Sequence, residues 1–437
     1  MTRPADAGPP GFAYGLAGFP IAFAALPLYV QLPAHYAGTL GMPLATVGWI
    51  LLAVRAFDAV ADPVIGRWID ARVIGDAPTL RLALLLAAVG LAAGFTALFF
   101  PLPSWRSAAR LLPWCAASLV LASVAHSVCT VIHQAWGARI AVGDAAQARL
   151  VAWREGCGLA GVVTASVLPS LAGFGPTAGV LAGALAIGVF GLLRCPLPTP
   201  REAAPSLPSG APTPAAPSLF APWRQPGFAR LLAVFMLNGT ASAVPATLVL
   251  FFVRDRLQAP AQEAAFLAAY FVAAALSLPL WVRAMARFGL ARGWRAGMLL
   301  SIASFAGAVA LGPGDRAAFF AICVASGAAL GADLVAPPAL LAAVIRHGAS
   351  GGAGSPPAAD PAAASFGWWN LASKLNLALA AGLGLPLLAR WGYAPGQRDA
   401  QALQALQLGY AALPCALKLG AVLLLSRIWI HLEETST

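Results

Sequence analysis

The chain has 437 residues, of which 60% are hydrophobic and only 10% charged, against roughly 25% charged in an ordinary soluble domain. With a mean hydropathy of +0.78, this excludes a soluble enzyme and assigns the net charge of +11 to loops at a membrane face, where arginine collects on the cytoplasmic side, rather than to nucleic-acid binding. At about 35 residues per crossing and loop, the length accommodates about twelve spans.

Residues 1–10 are polar and Pro-rich, and no cleavage site follows the first apolar run, so the first helix is expected to be retained. Apolar segments recur at about 12–38, 44–69, 81–103, 111–137, 150–172 and 176–194. Six more lie at about 229–253, 264–286, 296–313, 317–345, 365–389 and 405–430. Each is long enough for a tilted crossing. The stretch 196–228 is rich in Pro, Ser and Ala and reads as a linker. The sequence therefore predicts an all-α membrane protein of twelve transmembrane helices, in a half at 1–195 and a half at 229–437.

Arginines crowd one set of alternate loops, including Arg67, Arg72, Arg139, Arg201, Arg292, Arg295 and Arg346, and thin out in the other. The crowded set contains the linker, so both termini are expected in the cytoplasm, with the chain in the plasma (inner) membrane. Two six-helix halves with both ends inside resemble the parallel-repeat plan of the major facilitator superfamily.

The second helix carries VRAFDAVADPVIGRWIDAR. Arg55, Asp58 and Asp62 fall at i, i+3 and i+7 and share one face. Each charge near the bilayer centre costs about 2.5–3.5 kcal/mol, and Arg55 neutralises only one of the two acids. Paired carboxylates in low dielectric hold a proton tightly or supply oxygens to a small cation. A packing ion pair of Arg55 with Asp58 is the plainer alternative.

Helix four carries His126 and His133 at i and i+7, with Gln134 adjacent, in an otherwise apolar span. Intramembrane polar groups face the bundle interior, so His133 and Gln134 are candidates for a substrate cavity. Six cysteines lack metal-ligand spacing, and no third ligand accompanies the histidines, so neither metal nor cofactor is expected. Gly156, Gly158 and Gly161 fit a G-x-G-x-x-G pattern, but inside a helix with no preceding strand they read as close helix packing. In the second half, Asn238 and Asp333 add polar groups, with Pro337 and Pro338 placed to break the helix beside Asp333. Asp333 is read as a substrate contact or an ion pair with Lys374, which shares a helix face with Asn370.

The stretch from Arg55 through Asp58, Asp62 and Pro63 to Gly66 and Asp70 resembles the helix-two signature of the glycoside–pentoside–hexuronide cation symporters, the melibiose permease relatives. Further stretches similar to that family follow in order along the chain. They are Tyr14-Gly15 with Phe19; Ala135-Trp136-Gly137-Ala138 with Arg149, Trp153 and Arg154; and Lys374 with Gly392-Tyr393-Ala394-Pro395-Gly396.

The resemblance implies a coupling-cation site at Asp58 and Asp62, a hydroxyl nearby at Ser127, and Lys374 balancing the acids when the cation leaves. It also implies substrate contact by Arg154, which could equally be a topology or gating charge. Gly66, Asp70 and Arg72, with Arg292 and Arg295 in the other half, occupy the loops of the superfamily's gating motif.

Two departures matter. An amide commonly precedes the second acid in sodium-using members, whereas Ala61 stands here, which favours a proton over sodium. The family's sugar-binding acids align with Ala22 and Thr130, so a galactoside is not held in the same way. Thr130, His133, Gln134, Arg154, Asn238, Asp333 and Asn370 are the expected substrate set.

The expected function is symport of a small polar solute such as a sugar with a proton or sodium, by a monomer in the lipid bilayer. A lipid, lysolipid or other organic-solute carrier and a non-transporting assembly or sensor protein are the alternatives.

Overall fold

The structure is a computed structural model; the residues described are 11–32, 35–42, 44–105, 108–141, 143–198, 218–225, 227–349, 362–393 and 396–434. Most of the linker, 199–217, therefore lies outside the described residues, as does the side chain of Arg55.

Among the described residues the fold is helical, with no strand. In chain order the helices are α1 (11–31, built from Gly11–Gly15, Gly18–Leu26 and the π turn Pro27–Gln31), α2 (Leu44–Trp68), α3 (Ala77–Phe99), α4 (Ala108–Ile140), α5 (Asp144–Ala172) and α6 (Phe174–Leu193). Then come α7 (Phe228–Phe251), α8 (Glu263–Phe288), α9 (Leu290–Ala308), α10 (Arg316–Ala349), α11 (Ala362–Arg390) and α12 (400–434). Among the described residues, seven helices are long and apolar enough to cross a membrane by length and composition.

The apolar residues show why such helices need lipid. On α3, Leu84, Ala87, Ala88 and Leu91 are buried, while Leu82, Leu85, Leu86 and Val89 face outward. A helix apolar on every side cannot sit at a water-facing surface. The chain is a multi-pass membrane protein.

Local chemistry sets the helix ends, and two of them differ from the hydropathy reading. Helix α3 starts four residues earlier than expected because Asp76 caps it, accepting from Thr79 N at 3.0 Å, with Pro78 in the first turn. The hydrogen bonds from the Thr79 side chain and backbone hold the Asp76 carboxyl below its usual range. Helix α9 also starts early. Gly289, at φ +89°, is the entire connection between α8 and α9, so Arg292 and Arg295 lie in the first turns of a helix rather than in a loop. Gly66, Asp70 and Arg72 are likewise helical, because α2 runs on into the π turn Ile69–Val73. Pro337 and Pro338 do not break α10, which continues through both. In a bundle, neighbouring groups satisfy the carbonyls that proline leaves open.

Contacts divide the chain into two compact units: Met1–Gln225 with Ile345–Leu371, and Pro226–Val344 with Ala372–Thr437. In the first, glycines bring α1 against its neighbours. A Cβ at Gly15 would lie 2.8 Å from the Trp153 carbonyl oxygen, one at Gly161 3.1 Å from Phe23 N, and one at Gly188 2.9 Å from Ala17 Cα. The small-residue reading of the glycines in α5 thus describes how α1 and α5 pack. The second unit closes around aromatics: Phe252 stacks on Tyr410 at 4.2 Å, and Phe319 meets Phe266 edge-on at 4.9 Å.

Candidate functional site

In the first unit, α2 presents Asp58 and Asp62 from one face, 1% and 0% exposed. Pro63 follows immediately; it lacks an N–H, so the α-helical donor to the Ala59 carbonyl is missing. The acids therefore sit at a turn of α2 that lacks one backbone hydrogen bond. Helix α2 packs on α4, where Ser127 is buried at 4% exposure. Thr130 turns its hydroxyl back to the His126 carbonyl at 2.8 Å.

His133 is fully engaged with α1. Its Nε2 donates to the Tyr14 carbonyl oxygen at 2.9 Å, and the Tyr14 hydroxyl donates to the His133 carbonyl oxygen, also at 2.9 Å. Gly137 has no side chain because the Tyr14 ring occupies that space: a Cβ there would lie 2.6 Å from Tyr14 Cζ. Two stretches far apart in sequence, at Tyr14 and at Trp136-Gly137, thus meet as one joint. The narrow crevice beside it is lined by Ala17, Pro20, Ile21, Leu84, Cys129 and His133 among others. Apart from the occupied imidazole, this lining offers little to sugar hydroxyls. Gln134 is better placed, since its Oε1 is buried and accepts no hydrogen bond among the described residues. Arg154 pairs with its neighbour Glu155 at 2.6 Å. Ala22 faces Gly158 of α5, so the position that the sequence aligns with a sugar-binding acid is a packing position here.

The cytoplasmic ends expected from the arginine pattern carry a second constellation. Asp70, wholly buried, accepts from Arg139 Nη2 at 2.9 Å, from Ala363 N at 2.9 Å and from Ala364 N at 2.7 Å. A carboxylate at a helix N-terminus satisfies orphan N–H groups and complements the dipole. Gly66 lets α11 come close, since a Cβ there would lie 2.9 Å from Ala364 Cα. Arg346 pairs with Asp144 at 2.6 Å. Arg72, Arg292 and Arg295 are exposed.

In the second unit Asp333 is central. Its Oδ1 accepts from Asn238 Nδ2 at 3.1 Å and Trp294 Nε1 at 2.9 Å, and its Oδ2 from Lys418 Nζ at 2.8 Å and Ser242 Oγ at 3.4 Å. Lys418 also donates to Asn238 Oδ1 at 2.8 Å. The ion pair expected with Lys374 is thus made by Lys418. Lys418 sits in an apolar run of α12 with nothing in its local sequence to mark it; its only signal was being one of two lysines in the chain. Lys374 is half-buried on α11, one turn beyond the half-buried Asn370. Two residues on, Asn376 accepts from Thr240 Oγ1 at 3.1 Å, and Gly239 of α7 gives its side chain room.

Comparison with known proteins agrees with the architecture. The family described as MFS/sugar transport protein matches residues 11–431. No curated protein matches the sequence. Among solved structures, a bacterial homologue of the iron transporter ferroportin in an outward-facing state is similar at TM-score 0.72 and 16% identity, covering 96% of this chain and 98% of that one. A variant of the Escherichia coli fucose:proton symporter FucP is similar at TM-score 0.66 and 12% identity, covering 94% and 98%. The human organic anion transporter MFSD10 (TETRAN) is similar at TM-score 0.62 and 18% identity, covering 95% and 98%. At these identities the structures speak to fold alone. The family match spans nearly the whole chain, and the chain belongs to the MFS/sugar transport protein family, with the fold of membrane transporters.

Proposed function

We propose that the protein is a secondary transporter that carries a small polar solute, a sugar or glycoside, together with a proton through alternating access. The observation that carries this reading is the pair of buried acids, Asp58 and Asp62, on one face of α2 beside Pro63. Two buried ionised carboxylates cost about 5–7 kcal/mol on insertion scales, an expense that goes with a group whose charge changes during a cycle. Ala61 in place of a neutral oxygen ligand favours the proton over sodium. Gln134, Thr130 and Arg154 on the first unit, and Asn370, Asn238 and Asp333 further along the chain, form the proposed substrate set. Lys374 is the proposed counter-charge for the acids. In the cell, the protein is proposed to lie in the inner membrane as a monomer with both termini cytoplasmic.

The seat of α11 on Asp70 supports a gating role for the cytoplasmic end of α2. A carboxylate holding two backbone N–H groups and an arginine is a contact that one state makes and another gives up, which is what alternating access needs.

The test is reconstitution into liposomes with an entrapped pH indicator. Addition of a transported sugar from a panel of hexoses, pentoses, uronates and glycosides should drive proton entry, without requiring sodium. Asp58→Asn should abolish accumulation and leave exchange. Accumulation by that variant, or a strict sodium requirement, would sink proton coupling at this pair; uptake of lysolipid with no sugar response would replace the substrate class.

A further inference from the structure

We infer that Trp368 is a positioning residue for the acidic pair of α2, held in place by the last stretch of the central linker, residues 218–225. The inference rests on the reading of Asp58 and Asp62 as the coupling site.

Gly367 and Trp368 are adjacent on α11, and successive helical residues point about 100° apart, so they meet different neighbours. Gly367 is buried against α2 at the acidic turn: a Cβ there would lie 2.5 Å from the Asp62 carbonyl oxygen and 2.9 Å from Pro63 Cα. Trp368 meets the linker. Its Nε1 donates to the Leu219 carbonyl oxygen at 3.0 Å. Its ring centroid lies 5.8 Å from that of Phe220 and 5.2 Å from that of Trp223, the latter edge-on at 89°. The 3-10 turn Ala221–Arg224, with Pro222 buried, presents Trp223 in this arrangement.

The cytoplasmic half of α11 is therefore sandwiched between the Asp62–Pro63 turn and an aromatic strap. Pro63 leaves that turn short of one backbone hydrogen bond, so its geometry depends on what packs against it. Glycine lets the α11 backbone touch it directly, with no side chain to absorb displacement. Whatever holds Trp368 thereby sets the backbone that carries Asp62. The strap lies outside the acidic site and outside the Asp70 contact, and it ties the linker joining the two sets of six helices to the coupling residues of the first.

Hydrogen exchange on the full chain in nanodiscs, at pH 5.5 and pH 8.0, tests this. Trp368→Ala should accelerate exchange in 59–68 of α2 and 362–370 of α11 by about tenfold, a local-opening effect, and change the ratio of α2 protection between the two pH values. Trp368→Phe, which keeps ring packing and loses the Leu219 hydrogen bond, should give a smaller change of the same kind. Trp223→Ala, at a half-exposed position, should reproduce the pattern without risk to folding. Acceleration confined to 218–225, or spread evenly over α7–α12, would overturn the assignment. The coupling reading fails separately, if α2 protection in the unaltered protein shows the same value at both pH values, or if its pH dependence survives undiminished when Asp58 and Asp62 are both replaced by Asn; the strap is then still judged by the acceleration at either pH.

Discussion

Lys418 and Asp333 form a 2.8 Å ion pair inside the second unit, with side chains 3% and 10% exposed. Asn238 bridges the two charges, donating to the acid and accepting from the lysine. With Trp294, the cluster draws on four helices: α7, α9, α10 and α12. Removing one charge leaves the other buried without its counter-charge, held only by neutral hydrogen-bonding groups such as Asn238. Lys418→Met should destabilise the protein by about 3–5 kcal/mol, and the double replacement Lys418→Met with Asp333→Leu should recover most of that loss. Thermal unfolding in detergent, run as a double-mutant cycle, measures the coupling; additive losses would show that the pair does not act as one unit.

The Asp70 contact should fail locally. Asp70→Ala leaves the N–H groups of Ala363 and Ala364 and the guanidinium of Arg139 without their shared acceptor. Loss of a buried acceptor for such donors costs about 1–3 kcal/mol. Exchange of the first turn of α11 should rise by at least an order of magnitude, and a cysteine placed at Ala364 should become more reactive to a water-soluble maleimide. Unchanged labelling would mean that α11 is seated by Gly66 and Gly367 alone.

Glycine positions should divide sharply. Gly367→Ala and Gly66→Ala drive a methyl into backbone of a neighbouring helix, and overpacking of this sort costs about 1–3 kcal/mol. Gly179→Ala and Gly183→Ala on α6 meet nothing within 4 Å and should be neutral or stabilising, by up to about 1 kcal/mol from helix propensity. A scan of midpoint temperatures over these four variants separates the classes.

Tyr393 supplies an alkaline signature. Its hydroxyl donates to Asp255 at 2.6 Å, and Asp255 also accepts from Gly396 N at 3.0 Å. Burial first, then the hydrogen bond and charge of Asp255, raise the phenol above its ordinary value of 10.0. A raised folded value means that the contribution is fully present below pH 10 and is lost as pH climbs toward the folded value, because the unfolded chain releases its proton first. Tyr393→Phe should therefore lower the midpoint temperature at pH 8, and the gap to the unaltered protein should narrow above pH 10. A gap independent of pH would assign the effect to packing alone.

The run of helices and the shared face of Asp58 and Asp62 on α2 were legible in the sequence because both follow from short-range pattern. Twenty apolar residues announce a span, and i, i+4 spacing of two acids announces a face. Partnership between helices was not legible. Asp333 had two lysines to choose between, Lys374 and Lys418, and nothing within either helix records which neighbour it packs against. His133 looked like a cavity residue because an intramembrane imidazole needs a partner; the partner is the backbone of α1 at Tyr14, which no spacing rule reveals. The loops assigned to Arg292 and Arg295 disappeared because hydropathy averages arginine into a break, whereas one glycine at φ +89° suffices for the turn.

Helix α1 meets α5 and α6 through backbone at Gly15, Gly18, Gly161 and Gly188, with no side chain between at these points. Side chains act as springs: they change rotamer and let helices roll or slip past one another by small amounts. Where they are missing, a helix is keyed to its neighbours like teeth of a gear held still. Any movement of α5 or α6 must carry the keyed stretch of α1 with it, and beyond Gly18 the π turn at Pro27–Gln31 is where the helix departs from regular winding and rotation can be absorbed.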